Sequence, residues 1–342
     1  MFESQSLWVV SIVGLFALGV LVASADLAVN RLIKLAAYFH LSTTFMGVTV
    51  VSLATSIPEI TAHIVASLGI VSNRMDYRIG SSIVLGANIG SDVIQQTLIM
   101  GLVVFIAGAL RFRRYFLWKS MIPMIGTTVM CIVLGLDRTY SRLDGAILFG
   151  VFLGYMVYLY RDERKFYRPE DNGFGQNGEA PDGVPTTGRQ ATVFGLTAAG
   201  ALAVAVGSAA VVLNLTELVV QRTAIGGSLI GVLTLGVASA LPEFITAISG
   251  VRHREHGISL GTLVGSNITN PLVAIGGGAL ISTYWVPRPL LVWDLPWETV
   301  TGIILWVILW VTRGKLGKLG AFYLIGLYFA YVVLRAVFFA VD

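Results

Sequence analysis

The chain has 342 residues, 56% hydrophobic and 12% charged, with a mean hydropathy of +0.80. That balance excludes a soluble globular domain, and a net charge of +4 without a basic stripe interleaved with aromatics excludes a nucleic-acid surface. The single cysteine, Cys131, excludes an intrachain disulfide framework.

Apolar runs of about twenty residues, enough to cross a bilayer as a helix, recur from end to end. In chain order they predict spans over residues 7–30, 44–71, 80–108, 116–136, 143–160, 192–213, 225–250, 258–283, 296–312 and 319–340. The fold class expected is therefore an all-α polytopic membrane protein of ten transmembrane helices, with the lipid bilayer as its surroundings. The first run lacks a small-residue cleavage site and reads as a retained helix rather than a signal peptide. Residues 161–191, rich in Gly, Pro, Asp and Asn, are the one long polar stretch, a linker between two five-helix halves, 1–160 and 192–342. Most lysines and arginines, from Arg31 and Lys34 to Lys315 and Lys318, fall in loops on one side. Cytoplasmic loops are enriched in such residues, so both termini are expected outside the cell membrane and the 161–191 loop in the cytoplasm.

The two halves repeat each other. Sliding the second back by 184 residues aligns Ser24 with Ser208, Asn30 with Asn214, Gly47 with Gly231, Thr55 with Ser239, Pro58 with Pro242 and Glu59 with Glu243. Further on, Gly86-Ala87-Asn88-Ile89-Gly90-Ser91 matches Gly265-Ser266-Asn267-Ile268-Thr269-Asn270. Because each copy has an odd number of spans, the copies enter the membrane in opposite directions. Such inverted repeats build transporters whose site lies at the midplane.

Within the repeats, Ala54-Thr55-Ser56-Ile57-Pro58-Glu59 and Ala238-Ser239-Ala240-Leu241-Pro242-Glu243 each set a proline and a carboxylate in an apolar run. A charge at bilayer depth costs on the order of 3 kcal/mol by insertion scales, so the pair points to a site that uses it. Each proline removes a helical N–H donor, which should release the carbonyls of Ala54 and Ala238. Thr55, Ser56 and Glu59 share one helix face, and Ser239 and Glu243 repeat the spacing. A hard cation such as calcium takes six to eight oxygens of these kinds, and two carboxylates balance its charge. For one proline alone, ordinary helix bending would be an equal account. Asn88, Ser91, Asp92, Ser266, Asn267 and Asn270 add polar groups at the same depth, with Asp92 either a third acid at the ion or a hydrogen-bonded residue one face away. His63 reads as a bond between helices rather than a proton relay, Asp26 and Glu217 as residues near helix ends facing water, and His253-Arg254-Glu255-His256 as a solvated turn. Trp118, Trp285 and Trp297 read as interfacial anchors.

The Thr55-Ser56-x-Pro58-Glu59 and Gly265-Ser266-Asn267-Ile268 patterns, each with a variant copy in the other, inverted half, resemble the alpha repeats of the cation/calcium exchanger superfamily, closest in pattern to its sodium/calcium exchanger branch. The resemblance covers residues 43–107 and 227–282. It implies an antiporter that extrudes calcium against an inward flow of sodium or protons, with those inorganic cations as its ligands, no cofactor and no obligatory protein partner. By position it implies Thr55, Glu59, Ser239 and Glu243 as calcium ligands and Ser56 and Ser266 in sodium sites. Ser91 and Asn270 stand where the family places an amide or carboxylate. Ala240 and Ala87 depart from the pattern at positions usually held by serine, which removes two oxygens from the sodium sites and leaves calcium/proton exchange, or another divalent cation, as the alternative. A cation channel is the nearest rival. An intramembrane enzyme is not favoured, since neither a zinc-ligand set nor a nucleophile and base pair is present.

Overall fold

The structure is a computed structural model that describes residues 6–38, 52–112, 114–166, 183–223, 225–252 and 256–342. Gly47, the start of the predicted 44–71 span, most of the 161–191 linker and His253 to Glu255 lie outside the described residues. The helices are α1 (Leu7–Tyr38), α2 (Ile57–Val71, preceded by the single turn Ser52–Thr55), α3 (Tyr77–Ala107), α4 (Leu117–Leu134) and α5 (Arg142–Phe166). They continue with α6 (Gly188–Thr223), α7 (Gly227–Arg252), α8 (residues 256–281), α9 (Leu290–Val311) and α10 (Lys318–Phe338). Among the described residues 8 helices are long and apolar enough to cross a membrane; α2 and α8 are the two that the ten-span reading adds. The predicted 7–30 and 192–213 spans are parts of longer helices, of 32 and 36 residues. At 1.5 Å per residue these reach about 50 Å, beyond the roughly 30 Å of hydrocarbon, so they tilt or project from it.

Packing reproduces the internal duplication. Helix α3 lies against α7, and α2 with its preceding turn lies against α8, so the second helix of each half meets the third helix of the other. Likewise α5 packs on the last turns of α8 and α10 on the last turns of α3, while α1 pairs with α6 and α4 with α9. The short connections obey the same exchange. Strand β1 (Ala109–Arg111) pairs antiparallel with β4 (Lys315–Gly317), and β2 (Thr139–Tyr140) with β3 (Tyr284–Trp285). Since β1 and β2 flank α4, the two ribbons sit at opposite rims of the bundle.

Small residues let the central helices approach closely. A β-carbon on Gly90 would come within 2.7 Å of the Val232 α-carbon, and one on Gly236 within 2.8 Å of the Ala87 carbonyl. The α3–α7 contact is therefore backbone against backbone, the packing that membranes favour where no hydrophobic drive exists between helices. Helix α3 starts at a defined point because Asp76 caps it, accepting the N–H groups of Arg78 and Ile79 at 2.9 Å each. It is buried without interruption from Gly80 to Ile94. Glu217, on the half-buried side of α6, ties the start of α3 to the opposite half by accepting the Asp76 N–H at 3.0 Å.

Candidate functional site

Both Pro-Glu helices are broken at the predicted place. The turn Ser52–Thr55 ends at Ser56 (φ −78°, ψ 5°), and Ile57–Val71 starts anew with proline in its first turn. In α7 the corresponding residue is Ala240 (φ −77°, ψ −6°), after which Leu241–Arg252 resumes. Proline cannot donate to the carbonyl four residues back, and the helix restarts where a missing N–H is harmless. The Ala240 N–H is shared between the carbonyls of Gly236 and Ala238, so the Ala238 oxygen keeps one weak donor. Ala54 lies in the turn before the first break.

These breaks bring the two carboxylates into one enclosed space. Glu59 is 2% exposed and Glu243 not at all. The Thr55 hydroxyl faces Glu243 and the Ser239 hydroxyl faces Glu59, so each half lends a hydroxyl to the other half's acid. Neither pair reaches hydrogen-bonding geometry: both Glu243 oxygens and Glu59 Oε2 have no hydrogen-bond partner among the described residues. Thr55 and Ser239 donate instead to the carbonyls of Ser52 and Gly236, at 3.2 and 3.3 Å. That leaves their oxygen lone pairs for an electrophile.

Around this pair, α3 and α8 contribute a connected polar layer. Ser91 donates to Glu59 Oε1 at 2.8 Å and accepts from Gln95 Nε2 at 3.0 Å. Gln95 Oε1 accepts from Ser266 Oγ at 2.6 Å and from Asn267 Nδ2 at 2.9 Å, which links the two halves. Asn270 donates to Asp92 Oδ1 at 2.7 Å, and Asn88 donates to the Asn270 carbonyl at 3.3 Å. Ser52 and Thr269 join the turn before α2 to α8 at 2.8 Å. The polar residues predicted around the two Pro-Glu turns and on α3 and α8 are all buried.

The atoms without partners are mainly oxygens. Besides the glutamate atoms, Ser56 Oγ, Asn88 Oδ1 and Asn270 Oδ1 are buried without a hydrogen-bond partner among the described residues. An isolated buried acceptor costs about 1–3 kcal/mol, and a layer of them is tolerable only where a cation or proton is part of the design. Glu59, Glu243 and Asp92 also lie near enough to repel one another when charged. No trio of His, Cys, Asp or Glu side chains converges on one point among the described residues. A cation held between Glu59 and Glu243 would have to complete its shell with neutral oxygens, which suits a hard cation better than zinc.

Several participants carry no clear signal in the sequence. Gln95 and Gln96 follow Asp92 in a widened turn, Gln95–Ile99, where the extra residue per turn lets neighbouring side chains both face inward. Glu298 on α9 accepts from Thr128 Oγ1 at 2.8 Å and from Gln96 Nε2 at 3.3 Å. The sequence does hold a partial clue, since Pro296 stands two residues before it, whereas Pro58 and Pro242 stand directly before theirs. His63 takes its place in a structural bond, with Nδ1 3.1 Å from the Tyr284 hydroxyl, which also meets Ser67 at 2.6 Å. Trp285 has the guanidinium groups of Arg78 and Arg138 each 5.2 Å from its ring, whereas Trp297 packs on Trp293 and Tyr331.

Comparison with known proteins gives this arrangement a lineage. The chain is 28% identical over 275 residues to the Escherichia coli inner membrane protein YrbG, covering 79% of this chain and 78% of that protein. It is 24% identical over 278 residues to the putative antiporter CaxA of Alkalimonas amylolytica, covering 80% and 81%. In fold it is similar to an H+/Ca2+ exchanger, CAX, with a TM-score of 0.76 and 16% identity over 96% of this chain and 82% of that one. It is similar also to the sodium-calcium exchanger NCX_Mj, with a TM-score of 0.61 and 19% identity over 97% and 100%. The sodium/calcium exchanger protein family matches residues 7–161 and 192–337. The chain thus belongs to the sodium/calcium exchanger family, as a multi-pass membrane antiporter of calcium and a counter-cation, and not as an enzyme.

Proposed function

We propose that Glu59 and Glu243 clasp one calcium ion between α2 and α7 and release it in exchange for sodium by alternating access. The observation that carries this reading is the pair of buried, opposed carboxylates whose oxygens lack donors while hydroxyls from the opposite half stand beside them. Thr55, Ser239 and the carbonyls of Ala54 and Ala238 would complete the shell, with Ser91, Asn88, Asn267 and Asn270 orienting it. Asp92, bonded to Asn270, acts one contact away and keeps the layer negative. Competition of calcium and counter-ions for the same acids enforces exchange, and the repulsion among unfilled carboxylates opposes crossing between states without cargo. With the termini outside and the 161–191 loop cytoplasmic, the inward flow of the counter-ion drives calcium out of the cell.

Sodium would use Ser56, whose hydroxyl oxygen has no partner among the described residues, and Ser266. One feature favours protons as the counter-ion instead. Ala87 and Ala240 are buried where hydroxyls would complete the sodium shells, and Ser266 is engaged by Gln95 Oε1 and the Thr262 carbonyl. Proteoliposomes loaded with calcium and exposed to a sodium gradient, a proton gradient or neither decide between the two. Efflux that needs one gradient identifies the counter-ion, and equal efflux with neither gradient refutes exchange in favour of a channel.

A further inference from the structure

A second group of buried acids lies outside the Glu59–Glu243 pair. Asp92 and Glu298, each 2% exposed, project from α3 and α9 toward the same interior region, which Cys131 on α4 also borders. Among the described residues no lysine or arginine is buried between them. Arg335 is the buried arginine or lysine among the described residues, and it is engaged with Asp294, one turn before Glu298. Neutral donors hold one oxygen of each acid: Asn270 on Asp92 Oδ1, and Thr128 and Gln96 on Glu298 Oε1.

The amides that make those bonds have their oxygens left over. Gln96 Nε2 spans Asn267 Oδ1 at 2.8 Å and Glu298 Oε1 at 3.3 Å, which fixes the orientation of the amide. Its Oε1 then has no hydrogen-bond partner among the described residues and lies 3.4 Å from where a β-carbon on Gly302 would stand, one turn beyond Glu298. Asn270 Oδ1 is likewise without a partner, and covalent geometry keeps it beside the nitrogen that touches Asp92. Gln96 is 4% exposed and Asn270 not at all. Two carboxylates and two unpartnered amide oxygens make a set of about four groups. That falls short of the six to eight oxygens calcium takes, and an all-oxygen set suits a hard cation with a smaller shell.

We propose that Asp92 and Glu298, with Gln96 and Asn270, form a second cation site between α3 and α9 that holds one sodium ion beside the calcium site. It rests on the reading above only in identifying that sodium as a coupling ion. Its place explains why a polar bridge from Gln96 to Asn267 separates the two sites: the layer can hold two cations without a shared ligand. The test uses the full chain purified in detergent, with radiolabelled sodium and radiolabelled calcium measured separately at equilibrium. Glu298→Gln should bind one sodium fewer per chain than the wild type and the same amount of calcium. The double variant Gln96→Leu, Thr128→Val, which keeps both acids, should weaken sodium binding tenfold or more. A folded Glu298→Gln protein with the full sodium count, or a wild type that binds no sodium, overturns the proposal. Should Glu298→Gln fail to fold, unchanged sodium binding in the double variant overturns it equally. Glu59→Gln separates the two readings, since it should lose calcium and keep the α3–α9 sodium; calcium retained there sinks the central site alone.

Discussion

The molecule buries carboxylates in two regions and completes them in opposite ways. Asp294 on α9 is fully enclosed, yet Arg335 reaches it from α10 with contacts of 2.9 and 3.0 Å and Tyr331 adds a hydroxyl at 2.6 Å. Arg335 passes the network to Ser228 at 2.5 Å, and Ser228 is bonded to the Asp342 side chain at the start of α7. That region is supplied with donors and charge by the protein itself. Among the described residues the surroundings of Glu59 and Glu243 offer hydroxyl and amide oxygens but no lysine or arginine, and several atoms stay without donors. A buried charge matched from within fastens helices together, whereas one left for a passing ion makes a transport site.

Substitutions can break or sharpen this contrast. The largest effect is expected at the acids proposed to clasp calcium: Glu59→Gln or Glu243→Gln should reduce calcium exchange in proteoliposomes to the background of empty vesicles while leaving melting in detergent near that of the parent. Arg335→Leu should act the other way. It leaves Asp294 buried without its partner, at a cost of about 3–5 kcal/mol, and thermal unfolding should show the loss. The double variant Arg335→Leu, Asp294→Leu should recover most of that stability, which a site built for an ion would not do. Ser91→Ala is a smaller perturbation, removing one charge-assisted bond of about 1.5–3 kcal/mol, so half-saturating calcium should rise on the order of tenfold with little change in melting. The mildest is Asp76→Ala, which uncaps α3 and should cost about 1 kcal/mol of stability, with transport at saturating calcium unchanged.

The part of the site legible in the sequence is the part that is both charged and doubled. Glu59 and Glu243 stand out because a carboxylate directly after a proline in an apolar run has few ordinary explanations, and its recurrence 184 residues on has fewer. The polar clusters of α3 and α8 follow from the same duplication. Glu298 escapes notice because it sits near the start of the predicted 296–312 span, where an acid would ordinarily face water. The helix begins earlier, at Leu290, and its first turn is the widened one, Leu290–Asp294, which carries Glu298 inward. Gln95 and Gln96 are uncharged and disturb an apolar run too little to mark it. Arg335, close to the end of the predicted 319–340 span, looks like a side chain reaching for the surface, and only the approach of α9 gives it a buried partner. Helix ends differ for a related reason: α1 and α6 continue past the apolar stretch because each covers the other, so polar residues such as Gln221 remain helical and exposed.

The two β ribbons carry a mechanical implication. Each joins a connection from the first half to one from the second, and because they flank α4 they clamp the bundle at top and bottom like paired rivets. Prising the halves apart at either rim would tear main-chain bonds, so the water path to the ion has to open through helices that neither clamp restrains. A covalent staple laid across either ribbon, such as cysteines at Ala109 and Gly317, should then leave ion turnover intact.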